Sequence, residues 1–356
     1  MFKVICNGNT LHDDSLASLR INNATVELEL GKTGSFNFTI FTSHPYYDSV
    51  EVMTSRISVY RNEAVIFSGR VFKIEFGFHN EKQVFCEGEL AFLLDTIMPP
   101  IAFYGSFNEY FERIVQIHNS QVDSSKQFVA GAFTVGEFYP YEVVTSEYSR
   151  TWDELQSKVV ERSGGYLQER YENGVRYLDV LSYDANISNV SSQTISFGKN
   201  LIDIKRDVDG TEVFSAIIPL GEEVNGARVN IESVNNYKAY IENAEAVAKY
   251  GLIYKVMTFP GITDPQVLKL TATSFMQDNF MEASNIEITV ADISALDPSL
   301  DSFMPGQWVN VNSKHHFLTN PNTFLVKKIS IGVSDPTQTQ IYIGRIKRGL
   351  TQALMP

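Results

Sequence analysis

The strongest constraint in this sequence is a pattern of strands that occurs twice. Near the start, Val26-Glu27-Leu28-Glu29-Leu30 leads through a Gly-Lys-Thr-Gly turn into Phe36-Asn37-Phe38-Thr39-Ile40. Residues 200–220 read NLIDIKRDVDGTEVFSAIIPL, with Leu201 to Ile204 entering, Asp209-Gly210 turning and Val213 to Ile218 returning. Asp-Gly supplies the positive φ angles that a two-residue hairpin needs. The strands that follow each hairpin also match in order. ISVY from Ile57 sits opposite WVNV from Trp308, IFSGRVFKIEF from Ile66 opposite FLVKKISI from Phe324, and QVFCEG from Gln83 opposite QIYIGR from Gln340. A repeat at this spacing predicts a duplicated domain rather than a solenoid. The alternative is two unrelated antiparallel sheets, because all half-buried strands share the alternation.

The alternation itself is clear. Phe36, Phe38 and Ile40, then Ile57 and Val59, then Phe72, Ile74, Phe76 and Phe78 repeat at period two, as half-buried strands do. Twenty-four Phe and 17 Tyr favour β structure over helical bundles. Arg61-Asn62-Glu63 makes a short turn, and Pro99-Pro100 ends the first segment. Residues 1–97 are therefore expected to form a first β-barrel-like domain.

Residues 98–196 read as an α+β domain with two helices. Ser106-Phe107-Asn108-Glu109 fits a capping box, followed by Phe107, Tyr110, Phe111, Ile114 and Val115 on one helical face. A second box is expected at Thr151-Trp152-Asp153-Glu154, with Trp152, Leu155, Val159 and Val160 as its stripe and Gly164-Gly165 as its stop. A hairpin from Tyr166 to Leu181 turns at Asn173-Gly174. A second barrel-like domain is expected in two pieces, 197–234 and 302–350. Between them, residues 235–301 form an inserted α/β domain. There Asp264 caps a helix with Pro265 at its first position, Leu268, Ala272, Phe275 and Met276 share one side, and a strand runs from Ile286 to Val290. The β pattern resumes at Trp308–Val311, Phe324–Ile331, a Ser334-Asp335-Pro336 turn and Ile341–Ile343. The expected class is α+β, mainly β.

Charge and cysteine content exclude several functions. The net charge of −13 argues against wrapping nucleic acid, which needs clustered Lys and Arg. Two cysteines, Cys6 and Cys86, are too few for a disulfide framework. The first residues, MFKVICNGNT, lack the apolar run of a signal peptide, and no stretch of about 18 apolar residues predicts a membrane span.

No motif carries a reaction. Gly31-Lys32-Thr33 resembles the end of a phosphate-binding loop, but Val26 stands where that loop needs its first glycine, and a strand follows where a helix should. Asp207-Val208-Asp209-Gly210 contains half of a calcium loop, yet Lys205 occupies the preceding ligand position, so a hairpin turn is expected. His315-His316 are adjacent and have no HExxH partner. Cys86 falls mid-strand, whereas a reactive thiolate needs a helix start or a cationic neighbour. Neither GxSxG nor GxGxxG occurs. No catalytic, cofactor-binding or metal-ligating residue is predicted, and no cofactor.

Several segments in order resemble one family. They are FSGRV at Phe67, CEGELAFLLD at Cys86, IHNSQV at Ile117, NLIDIKRDVDGTEVFSAIIPLGE at Asn200, Glu242 to Gly251, VADISALD at Val290, PGQWVNV at Pro305 and KKISIGVSDPTQTQIYIG at Lys327. Together they are similar to the hub proteins of phage tail tips, the prophage tail-endopeptidase or tail-associated-lysin group of minor structural proteins. The resemblance implies a baseplate-hub-like fold and a homotrimer whose two barrel-like domains per chain make a ring of approximate sixfold symmetry. It implies docking on the distal tail protein ring, contact with the tape-measure protein and with receptor-binding or tip proteins, and a lumen through which DNA passes without specific binding. It places the protein in the virion tail tip or baseplate, assembled in the bacterial cytoplasm. Longer members carry a C-terminal peptidase module; this sequence stops at RIKRGLTQALMP, so a structural role and no enzyme activity is carried over. Two alternatives stand beside the hub: a wall-degrading tail lysin, and a receptor- or carbohydrate-binding module using Tyr46-Tyr47 or Tyr139-Pro140-Tyr141.

Overall fold

Alternating strands build the first hairpins of the chain in close succession. In the computed structural model, the described residues are 1–344 apart from 17, 137–140, 184–187, 211–212, 225, 260–261, 280–282, 292–299, 301, 314–317 and 334–338. β1 (Phe2–Cys6) and β2 (Asn9–Asp13) pair antiparallel, as do β3 (Asn22–Glu29) and β4 (Ser35–Ile40). Gly31 and Gly34 turn the second hairpin at φ 69° and 72°. β5 (Arg56–Arg61) and β6 (Ala64–Phe76) turn at Asn62 and Glu63, both at positive φ, and β7 (Lys82–Gly88) runs back along β6.

The α+β segment follows as β8 (Ile97–Met98), β9 (Ala102–Gly105), α1 (Phe107–Asn119), β10 (Val129–Phe133), β11 (Tyr141–Val144) and β12 (Ser149–Arg150). α1 carries the predicted capping box: Ser106 Oγ accepts from the Glu109 amide, and Glu109 Oε2 accepts from the Ser106 amide at 2.7 Å. Its apolar face packs against Leu155, Val159, Leu167, Leu178 and Val180. The second helix departs from the sequence expectation. α2 (Thr151–Glu154) runs into a π-helical stretch, Leu155–Val160, and α3 (Glu161–Ser163). Its N-cap is Arg150, with no side-chain cap. Thr151 is instead buried and its hydroxyl accepts from Thr96, while Glu154 accepts from Tyr110 and Ser149. Tertiary partners have taken both ends of the expected box. β13 (Tyr166–Glu172) and β14 (Val175–Leu181) form the Asn173-Gly174 hairpin, and β10 joins β14 in parallel.

The second-half hairpin is corrected. β15 (Ile195–Ser196) precedes β16 (Leu201–Asp209), which is strand through Asp207 and Asp209 rather than turn. The next strand, β17 (Ala216–Leu220), does not pair with β16. It lies in a three-stranded sheet of order β20-β17-β21. Here β18 (Glu223–Val224) and β19 (Ala227–Arg228) pair with each other, while β20 (Ile241–Glu242) and β21 (Tyr254–Thr258) flank β17. α4 (Ala244–Tyr250) and α5 (Pro265–Asn279) complete this unit, with Asp264 capping α5 through the amides of Gln266 and Val267. Leu268, Ala272, Phe275 and Met276 of α5 form its core with Phe214, Ile217, Ile231 and Phe259.

The partner of β16 is β22 (Ala283–Val290), expected inside the insertion but found in the large sheet. β23 (Trp308–Ser313), β24 (Leu318–Gly332) and β25 (Thr339–Gly344) follow. Contacts divide the chain into two compact units. The first comprises Met1–Val160, Gly165–Lys205 and Ile286–Gly344; the second comprises Glu161–Gly164 and Arg206–Asn285 among the described residues.

With β22 in place the duplication becomes a statement of topology. The first copy orders its strands β3-β4-β7-β6-β5, and the second orders them β16-β22-β25-β24-β23. Even the irregularities agree. A bulge interrupts β6–β7 between Val71 and Lys73, and one interrupts β24–β25 between Val326 and Lys328. Val71 bonds to Met53 and Ser55 at 2.7 and 3.0 Å; Val326 bonds to Gly306 and Gln307 at 3.0 and 2.9 Å. A bulge occupies one extra residue and fixes register, so a shared bulge position aligns the copies residue by residue. Gln83 corresponds to Gln340 as the sequence comparison has it. Ile57 corresponds to Val309, one position beyond Trp308.

Candidate functional site

The chemistry-bearing residue types are dispersed or buried. Cys86 lies in β7 at 0 % exposure, and burial pushes its thiol well above the ordinary value. Cys6 is buried in β1 and also raised by burial. Gly31-Lys32-Thr33 is the β3–β4 turn and opens no helix. Asp207 and Asp209 belong to β16, and His315 and His316 lie outside the described residues. No group of three or more His, Cys, Asp or Glu side chains could hold a metal ion among the described residues. Tyr46 and Tyr47 pack against the sheet core, and Tyr141 is buried against Phe107 and Tyr110. Tyr139 and Pro140 lie outside the described residues.

One charged cluster is ordered by burial. Arg70 donates to Glu87 at 2.8 Å and to both oxygens of Asp95, and Lys126 reaches Asp95 at 2.7 Å. Burial opposes the charge on Asp95, but these cations outweigh it and hold its carboxyl below the ordinary value. Arg176 and the Tyr171 hydroxyl both donate to Glu89, and the guanidinium groups of Arg56, Arg70 and Arg176 surround the Phe92 ring. Beside them the Glu169 carboxyl is pushed up to about 8, first by burial and then by Glu89. The Glu169 side chain is partly exposed as a whole, while its Oε2 atom is sealed without a hydrogen-bond partner. Each paired charge is neutralised by its neighbour, which is the pattern of a structural tie rather than a reaction centre. Sequence reasoning missed this cluster, because its members lie far apart in the chain and carry no motif.

What the fold does present is strand edge. Among the described residues the two copies meet along one seam, where β24 pairs antiparallel with β3 in the register Lys328↔Glu29, Ile329↔Leu28, Ser330↔Glu27 and Ile331↔Val26. The Leu30 amide donates to Lys327 at 2.9 Å, and the Val333 amide donates to Ala24 at 2.8 Å, at the two ends of the seam. Ile331 and Val26 are buried in a core that both copies share. The matching half of β6, Lys73–Phe76, has β7 on one side and, among the described residues, no strand on the other. β16, the counterpart of β3, ends the sheet order with β22 as its one neighbouring strand among the described residues. An unpaired edge is a template for another strand. The edge of β6 is flanked by exposed Phe72, Phe76 and Phe78, and Ile202 is exposed on β16.

Comparison with known proteins finds one family model over part of the sequence and a shared fold over all of it. Residues 189–354 match the family model described as prophage endopeptidase tail. Over the whole chain the fold is that of phage tail proteins. A tail protein from Neisseria meningitidis superposes with a TM-score of 0.65 at 13% identity, covering 99% of each chain. The 43 kDa tail protein of prophage MuSo2 from Shewanella oneidensis gives 0.62 at 12% identity, covering 98% of each. An Escherichia coli component of the type VI secretion system, itself described as similar to tail proteins of bacteriophage T4, gives 0.50 at 10% identity, covering 99% of this chain and 80% of the other. No curated protein compared by sequence is significantly similar. No helix among the described residues is long and apolar enough to cross a membrane.

Proposed function

We propose that this protein is the structural hub of a phage tail tip or baseplate, working as a homotrimeric ring without enzymatic activity. One observation carries the reading: the chain holds the same five-strand unit twice, in one strand order and with one bulge position, joined along the β24–β3 seam. Three such chains supply six equivalent units. A ring of that kind offers near-sixfold symmetry to a tail tube and true threefold symmetry to a tip. The distal tail ring would dock on one face, and tip or receptor-binding proteins on the other. The tape-measure protein and DNA would pass through the lumen, and a net charge of −13 suits a conduit that must not hold DNA. The virion tail is then its place, with assembly in the bacterial cytoplasm.

Native mass measurement tests the reading. A trimer is expected, as a ring in negative-stain images. A stable monomer at about 100 μM, far above the dissociation constants of specific assemblies, would overturn it.

A further inference from the structure

The seam inside the chain is a working example of how one five-strand unit joins the next. Its two halves recur on the same chain as edges that have no neighbouring strand among the described residues. We propose that the Lys73–Phe76 half of β6 in one copy of the chain pairs antiparallel with β16 of a second copy, with Glu75 opposite Lys205 and Phe76 opposite Ile204. The pairing rests on the ring reading and gives it an interface at the level of residues.

The bulge alignment fixes the β6 side. Lys73, Ile74, Glu75 and Phe76 occupy the places of Lys328, Ile329, Ser330 and Ile331. At the seam, Ile331 faces Val26 and Ser330 faces Glu27. On β16, Ile204 packs against the same core as Val26, and the next residue is Lys205, as Glu27 follows Val26. The Ala291 amide donates to Asn200 at 2.9 Å, four residues before Ile204, just as Asn22 pairs with Thr39 four residues before Val26. Setting Ile204 in the place of Val26 therefore brings Phe76 over Ile204 and Glu75 over Lys205.

Charge selects among the registers that keep the apolar face inward. A slip of one residue turns every side chain to the other face. A slip of two residues toward the start of β16 sets Glu75 against Asp203 and Lys73 against Lys205, two like-charged pairs directly opposite each other, and a slip of two the other way sets Glu75 against Asp207, again like-charged. The proposed register sets Glu75 against Lys205 instead. In the single chain Lys73 turns to its own neighbour Glu75 at 2.6 Å, both half exposed, while at the seam its counterpart Lys328 reaches across to Glu27 at 3.0 Å. Phe76 is 66 % exposed, whereas Ile331 in the same place is 1 % exposed beneath β3. A second copy of the chain supplies the missing strand, because its β16 is the counterpart of β3.

Cysteine pairs in the full chain test the register. Glu75→Cys with Lys205→Cys should oxidise to disulfide-linked trimers on a denaturing gel, while Lys73→Cys with Lys205→Cys should link at least tenfold less. Glu75→Lys should weaken assembly about fivefold, and adding Lys205→Glu in the same chain should restore it. A trimer by native mass in which the 75/205 pair fails to link, or links no better than the 73/205 pair, overturns the pairing and leaves the ring. A monomer by native mass overturns both.

Discussion

Lys328 Nζ lies 3.0 Å from Glu27 Oε2, so one ion pair spans the seam where the second five-strand copy meets the first. Its exposure sets its weight. Lys328 and Glu27 are 29 % and 43 % exposed, and an exposed pair contributes at most about 1 kcal/mol. Ile331, fully buried opposite Val26, does more. Glu27→Gln should cost less than about 1 kcal/mol in urea unfolding. Ile331→Ala should cost about 2–4 kcal/mol in the same assay. The order of the two effects is the check: a larger loss for Glu27→Gln would mean that charge, not burial, holds the copies together.

Arg70 makes a different kind of tie. Its side chain is 4 % exposed and donates to Glu87 and to both oxygens of Asp95. Asp95→Asn leaves a buried guanidinium short of a partner, at an expected cost of about 3 kcal/mol. The pH dependence follows from the lowered carboxyl of Asp95. A carboxylate whose folded value lies below its unfolded value adds stability above the unfolded value and loses it as pH falls through the folded one. Wild type should therefore lose stability more steeply than Asp95→Asn as pH drops below about 4, and the two curves should converge in strong acid. Denaturant midpoints between pH 2 and pH 6 measure this directly.

Much of the sheet was legible from periodicity. Phe36 and Phe38, Ile57 and Val59, and Ile329 and Ile331 all face the core, and the capping box at Ser106 formed as read. What sequence could not give was pairing across distance. The Asp209-Gly210 dipeptide carries hairpin chemistry, but β16 closes on β22 after the whole inserted unit, because alternation says that a strand is half buried and not which strand lies beside it. The box at Thr151 failed for a related reason. Thr96, Tyr110 and Ser149 come from elsewhere in the chain to bond the two side chains that should have capped each other. The seam itself was invisible, since neither Glu27 nor Lys328 belongs to a motif.

Glu169 carries the opposite pH dependence. Its carboxyl is pushed up to about 8 by burial and by the nearby Glu89. A group with a raised folded value contributes stability that is complete below the unfolded value, near 4.5, and is lost as pH rises through the folded one. Wild type should lose roughly 2–4 kcal/mol from this group between about pH 5 and pH 8. Glu169→Gln keeps the shape and removes the titration, so its stability should be flatter across that window and should exceed wild type at pH 8.5. Parallel unfolding series at pH 5 and pH 8.5 decide it; equal slopes in the two proteins would mean that Glu169 ionises freely in the folded state.

Cys86 separates the structural reading from the wall-degrading one. It sits in the middle of β7, paired with Phe36 of β4 on one side and Val71 of β6 on the other, with nothing exposed. Burial raises its thiol, so the thiolate that a nucleophile needs is scarce at neutral pH. A thiol-reactive dye should leave Cys86 unmodified in the folded protein and label it at the rate of unfolding once denaturant is added. Cys86→Ala should lower stability by about 1–2 kcal/mol through lost packing and leave assembly intact. Purified cell walls mixed with wild type or with this variant should keep their turbidity alike. Clearing by wild type that disappears with Cys86→Ala, in a variant that still assembles, would place a nucleophile in the sheet core and overturn the reading of this chain as a purely structural ring.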